Sequence, residues 1–215
     1  MDEYIAELSL ARPEPPGDWL LAVLDRALED GTRLVLLDAT GELPESTRWD
    51  AATLRSLTLF ELPVVFAFEG ALRGPWTDLA LAADIRVCGE AASLQGRLAA
   101  DARARSLAGD ATALELYLGR TVLGAPRLLE CGLVTEVAPA GVALAAARRI
   151  ATVIASRGPI ATRLGKEAIW RGLALPLDQA LRFETDLTLL LQTTKDRAEG
   201  VRAFLEKRPP SFTGE

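Results

Sequence analysis

The sequence predicts an α/β protein, a layered and mostly parallel sheet core followed by a helical C-terminal region. Two patterns carry that expectation. Short apolar runs alternate with helix-periodic segments in the first half of the chain, and from about residue 140 the periodicity is helical almost throughout. Composition agrees: 215 residues, 49% hydrophobic and 25% charged, can bury the core of one large domain or two small ones and are not those of a disordered chain.

Residues 4–10 alternate as a short strand with Tyr4, Ala6, Leu8 and Leu10 on one side, and the proline-rich stretch 12–17 breaks it. Asp18 is placed to cap a helix carrying Leu20, Leu21, Leu24, Ala27 and Leu28 on one face and stopping at Gly31. Residues 33–38 read as a buried parallel strand. After a loop at 41–44, Trp49, Ala52 and Leu57 mark a second helix, ended before Pro63. Residues 64–68 form a second buried strand, 70–75 a turn, 77–83 a short helix and 85–88 a third strand. Strand, helix and strand in repetition imply a parallel sheet with right-handed crossovers. Helices then run over about 140–156, 160–172, 177–193 and 196–206, punctuated by Gly158-Pro159 and Pro176.

Histidine is absent. The chain therefore builds no Ser-His-Asp triad, Cys-His pair or imidazole zinc site. Proton chemistry falls to carboxylates, lysine, tyrosine, backbone or water. The net charge of 24 − 30 = −6 argues against a nucleic-acid partner. No uncharged apolar run approaches the roughly 18 residues of a membrane span, and the opening Met1-Asp2-Glu3-Tyr4 lacks the basic and apolar blocks of a secretory signal. Cys88 and Cys131, without CxxC spacing, read as reduced core cysteines. A cytoplasmic protein without metal, nucleic-acid or membrane partner is expected.

Two stretches resemble the crotonase superfamily, the enoyl-CoA hydratase/isomerase family. One spans residues 63–87, from Pro63-Val-Val-Phe-Ala-Phe through Gly70 and Gly74 to Asp84-Ile-Arg86. The other begins at Arg157-Gly-Pro and passes through Lys166-Glu-Ala and Arg171-Gly-Leu to Phe204-Leu-Glu-Lys-Arg-Pro-Pro-Ser-Phe-Thr-Gly214. Gly119-Arg120 and Glu130-Cys-Gly-Leu-Val134 match the segment between them. The chain looks like a divergent, short member that starts late relative to the family pattern. The resemblance implies a crotonase-like spiral of ββα units over residues 1–138 and a helical C-terminal trimerisation region over 139–215. It further implies a homo-oligomer (trimer or hexamer), an acyl-CoA or carrier-bound thioester as ligand, and no cofactor beyond the coenzyme A of the substrate. The family's chemistry is an enolate held at the thioester oxygen by two backbone N–H donors, with two glutamates moving protons in hydratases.

Residue by residue, the resemblance places the second amide donor at Pro75, which has no N–H. Loss of one such donor typically costs about 3–4 kcal/mol. Gly74 and Trp76 are the neighbouring amides, and Arg73 is a guanidinium that could face the same oxygen. The first donor falls at Thr47. The first hydratase glutamate matches Asp78, a candidate lone acid/base with the same carboxylate one methylene shorter. The second has no counterpart in residues 93–101, where no carboxylate precedes Asp101. Arg12, Lys207 and Phe212 match positions that contact coenzyme A, and Arg97, Arg103 and Arg105 form a local basic cluster. Two functions stay open: an enzyme acting on acyl thioesters through an enolate, as isomerase or decarboxylase rather than two-glutamate hydratase, or a catalytically weakened homologue serving as a structural or accessory subunit.

Overall fold

The computed structural model describes residues 4–11, 17–96, 101–119 and 121–215. The strands are β1 (Ile5–Ser9), β2 (Leu34–Ala39), β3 (Val64–Phe68), β4 (Ala71–Leu72), β5 (Ile85–Gly89), β6 (Ser93–Gln95), β7 (Val122–Gly124) and β8 (Glu136–Ala138). The helices are α1 (Gly17–Glu29), α2 (Ala51–Thr58), α3 (Pro75–Ala82), α4 (Asp101–Leu118), α5 (Ala125–Glu130), α6 (Ala143–Ala155), α7 (Pro159–Gly172), α8 (Leu177–Gln192) and α9 (Lys195–Glu206).

The larger sheet is parallel throughout, in the order β1-β2-β3-β5-β8. A smaller sheet, β4-β6-β7, pairs β4 with β6 in parallel and β6 with β7 antiparallel. Successive units β3-β4-α3 and β5-β6-α4 each place one strand in each sheet, with like strands adjacent. This is the expected spiral of ββα units. The short strands of the second sheet escape a sequence reading because two or three residues carry no periodicity.

Period-2 alternation makes β2 and β3 apolar on both faces. Val35, Leu37, Phe66 and Phe68 pack in the layer with α1, α2 and α3. Leu34, Leu36, Val65 and Ala67 turn the other way, onto an alanine stripe of α6 formed by Ala143, Ala147, Ala151 and Ala155. The small side chains bring that helix close to the sheet. Helix α2 starts later than its apolar spacing suggests. Asp50 caps it, accepting the Thr53 N–H at 2.6 Å, so Trp49 stands before the helix and Ala52 faces outward. Helix α3 starts earlier than predicted because Pro75 occupies its first turn, where no N–H is needed.

Buried polar groups pin the layers together. Arg86 is buried, and its guanidinium donates to the carbonyls of Ala83 (2.6 Å) and Leu133, closing the C-terminal end of α3. Asp84, just before β5, accepts from the Val64 N–H (2.8 Å), Lys166 Nζ (2.6 Å) and Trp170 Nε1 (2.8 Å). Lys166 also donates to the Leu62 carbonyl at 2.8 Å. One carboxylate thus ties the starts of β3 and β5 to α7. Cys88 and Cys131 are free thiols, and burial, then the charge of Glu69, pushes the Cys88 thiol up to about 11.

The C-terminal tail folds back on its own chain. Asp196 accepts the N–H groups of Thr213 (2.7 Å) and Gly214 (3.0 Å), and Glu199 accepts Ser211 N–H (3.0 Å) and pairs with Arg208 at 2.6 Å. Arg33, beside the Tyr4 ring, bridges the carbonyls of Ala155 (2.9 Å) and Phe212 (2.8 Å). The turn into the tail is made by Lys207 in the left-handed region, φ 53°.

Replacing Asp84 by alanine strands the Lys166 ammonium in a largely buried place, so urea unfolding is expected to show a loss of about 3–5 kcal/mol. A loss within about 0.5 kcal/mol, the range of an ordinary surface change, would show that this carboxylate is not a tie point. Arg208, then Ser211 N–H, hold Glu199 at about 2, below its ordinary 4.5. A lowered carboxylate stabilises the fold above its unfolded value and loses that contribution as pH falls through its folded value. Protection of the Ser211 amide against hydrogen exchange, taken relative to its intrinsic rate at each pH, is therefore expected to fall from pH 4.5 downward to about 2. Protection unchanged at the acid end would remove Glu199 from the tail's anchoring.

Candidate active site

In an open parallel sheet the C-terminal strand ends and the loops that leave them make the natural ligand crevice. A cavity of about 710 Å³ opens there, between the loop after β2 (Gly41, Glu42, Leu43, Glu45 and Arg48) and the turn after β3 (Glu69, Ala71, Arg73, Gly74, Pro75 and Trp76). The turn is shaped by Gly74, whose φ of 55° and ψ of −127° suit a residue without Cβ, and by Pro75 starting α3.

Backbone donors at this turn are mostly engaged. The Trp76 N–H donates to the Arg73 carbonyl at 3.3 Å, and the N–H groups of Thr77 (3.1 Å) and Asp78 (3.4 Å) donate to Gly74. Pro75 has none to give. Among the described residues, the Gly74 N–H and the Arg73 guanidinium have no protein acceptor. Arg73 is exposed at the cavity, and across from it Arg48 is held by the carbonyl of Thr47 at 2.8 Å.

The Trp76 side chain forms part of the wall. It is 5% exposed, its Nε1 donates to the Pro44 carbonyl at 3.0 Å, and its ring meets Trp49 edge-on at 5.5 Å and 80°. Asp78 sits one residue pair further along α3, also 5% exposed, and does not line the cavity. Thr47 is likewise buried behind the wall. Its N–H donates to Pro44 at 3.4 Å, and its Oγ1, like Trp49 Nε1, is enclosed without a hydrogen-bond partner among the described residues.

The structure therefore brings Arg73, Gly74 and Trp76 to one cavity and leaves Thr47 and Asp78 buried, outside its lining. Lys207 and Phe212 lie elsewhere, in the tail: Lys207 is exposed, and the Phe212 ring rests against Gly158 and Gly200 of its own chain. Arg12 and Arg97 lie outside the described residues, as does the stretch 97–100 within the segment that lacks the second glutamate; Arg105 pairs with Asp110 at the surface. Sequence reasoning passed over Arg48 and the glutamates of the 41–48 loop, which carry no motif. It also passed over Glu69, although that residue stands inside the recognised stretch. Its carboxylate accepts the Ala143 N–H at 3.1 Å and fills the space where a side chain on Gly89 would go, so it holds the start of α6 while also bordering the cavity.

Comparison with known proteins gives a consistent picture. The family described as Enoyl-CoA hydratase/isomerase matches residues 44–215. A 2,3-dehydroadipyl-CoA hydratase of Escherichia coli (strain K12) is 32% identical over 168 residues, covering 74% of this chain. The chain spans 66% of that hydratase, just under two thirds of its length. YngF of Bacillus subtilis (strain 168) is 32% identical, with 99% of this chain and 96% of YngF covered. The crystal structure of an enoyl-CoA hydratase from Bacillus anthracis superimposes with a TM-score of 0.88 at 30% identity, covering 99% of this chain and 96% of that one.

Proposed function

The chain belongs to the enoyl-CoA hydratase/isomerase family, and from that premise we propose that it is an enzyme of acyl thioesters working through an enolate. The observation that carries the reading is the cavity at the ends of β2 and β3, walled by the N-terminal turn of α3. Negative charge developing on a thioester oxygen there meets the Gly74 N–H, the Arg73 guanidinium and the positive end of a helix. Arg73 takes the part that an amide at position 75 cannot. Asp78, in the first turn of the same helix, is the carboxylate that the family resemblance matches to a proton-transfer residue, and we assign it that role although the carboxylates lining the cavity are Glu42, Glu45 and Glu69. Isomerisation or decarboxylation needs fewer proton-transfer groups than hydration and suits a single carboxylate. The coenzyme A of the thioester is the only cofactor required, and the names of the E. coli and B. anthracis relatives support that ligand class.

A second reading, an accessory subunit with weakened chemistry, is favoured by one observation: Asp78 does not line the cavity. The C-terminal helices fit either reading. Helix α7 has no fully buried residue and α8 only Leu187, while Phe204 and Leu205 of α9 are 82% and 74% exposed. We take residues 139–215 to include the assembly surface of a trimer or hexamer. No helix among the described residues is long and apolar enough to cross a membrane, which agrees with the cytoplasmic setting proposed.

Coenzyme A and crotonyl-CoA should raise the melting temperature, by about 2.7 kcal/mol of added stability at a hundredfold excess over Kd. No shift across a panel of thioesters at millimolar concentration would remove the thioester reading. Where turnover is found, Arg73→Gln is expected to lower kcat by about 10²–10³ and Asp78→Asn to abolish it, both with melting unchanged. Binding without turnover of any thioester would leave the accessory subunit as the function. For assembly, light scattering should give a trimer or hexamer, and joint replacement of Phe204 and Leu205 by aspartate should yield smaller species. A monomeric wild type would refute the assembly surface.

A further inference from the structure

The Trp76 indole is an unusual occupant of the first turn of α3. It faces the cavity with one surface and Trp49 with the other, and its Nε1 is anchored to Pro44 across the loop. An aromatic ring held by a hydrogen bond and by edge-on packing is a fixed wall rather than a mobile surface residue. Its place also matters. Arg73 and Gly74, which face the thioester oxygen in the reading above, stand three and two residues before it along the chain. An acyl group leaving that carbonyl along the turn therefore runs into Pro75 and the Trp76 ring.

We propose that Trp76 is the specificity-determining residue of the cavity and restricts it to short acyl groups. The inference rests on the thioester reading and adds the substrate class. Behind the ring lies the loop bearing Thr47 and Trp49, both buried, with the Trp49 ring in edge-on contact. A smaller residue at position 76 opens the cavity toward that space. The backbone N–H of residue 76 is not at stake, because it is engaged by Arg73 and persists in any substitution other than proline.

Each methylene that enters an apolar pocket improves affinity about fourfold, whereas one that meets a closed wall adds nothing or is expelled into water. Calorimetric titration of the full chain with coenzyme A and its acetyl, butyryl, octanoyl and dodecanoyl thioesters reads this directly. Wild type is expected to gain affinity up to butyryl and none beyond it. Trp76→Leu is expected to continue gaining, by about fourfold per methylene over the next few carbons. Trp76→Phe, which keeps a ring in place, should behave as wild type. A wild type whose affinity climbs steadily to dodecanoyl overturns the proposal by itself, whether or not the leucine variant folds. Equal profiles for wild type and a folded Trp76→Leu overturn it too. Failure of wild type and both variants to bind even coenzyme A overturns the thioester reading and the inference with it, an outcome distinct from the other two.

Discussion

Two parallel ladders meet on β3. Residues 64–68 pair with 35–39 of β2 on one side, and residues 65–68 pair with 85–88 of β5 on the other. A slip of one residue would turn Phe66 and Phe68 toward α6 and Val65 and Ala67 away from it. Both layers are closely packed, so the register is fixed. The loop after β2 and the turn after β3 consequently emerge side by side, and the cavity is the space between them. Asp84 has the corresponding role at the other end of the strands, where it receives Val64, Lys166 and Trp170 and so docks α7. The cavity and the exposed apolar helices are thereby held at opposite ends of one sheet.

Chemistry at the turn follows from what the fold leaves available. A short helix begins there, and its first amides are consumed locally by the carbonyls of Arg73 and Gly74. The proline contributes none. Among the described residues, the donors at this turn without a protein acceptor are the Gly74 amide and the Arg73 guanidinium, which in the proposed reading puts a full charge in the place of one neutral donor. A guanidinium is less strictly directional than a fixed amide pair and more sensitive to screening by salt when exposed.

Much of the fold was legible in the sequence, because buried parallel strands announce themselves as apolar runs and the long helices as 3.6-residue periodicity. The four C-terminal helices fall within about three residues of their expected bounds. What escaped had no period to show: the two- and three-residue strands β4, β6, β7 and β8, the six-residue helix α5, and helix α4, whose apolar spacing is irregular about the non-helical Gly109. The site was legible in a different way. Residues 70–78 stood out by resemblance, and the structure lines one cavity with Arg73, Gly74 and Trp76 but not with Thr47 or Asp78. Arg48 and the acidic loop did not, since exposed loop charges look alike in any sequence. The tail was the least readable. Asp196 and Glu199 are unremarkable as letters, and only three-dimensional proximity to residues 211–214 reveals what they hold.

Pro75 affects the unfolded chain as well as the folded one. A proline at the first helical position already has the backbone angle the helix requires, so fewer conformations are lost on folding, a gain of about 0.4–1 kcal/mol where the native angles are compatible. The same ring withholds an amide from the ligand. The turn at the cavity is thus held in shape by covalent constraint at Pro75 as well as by the hydrogen bonds of Trp76 and Thr77. The turn is stiff where Pro75 starts α3, so adaptation to different ligands falls to exposed side chains such as Arg73 and not to the backbone.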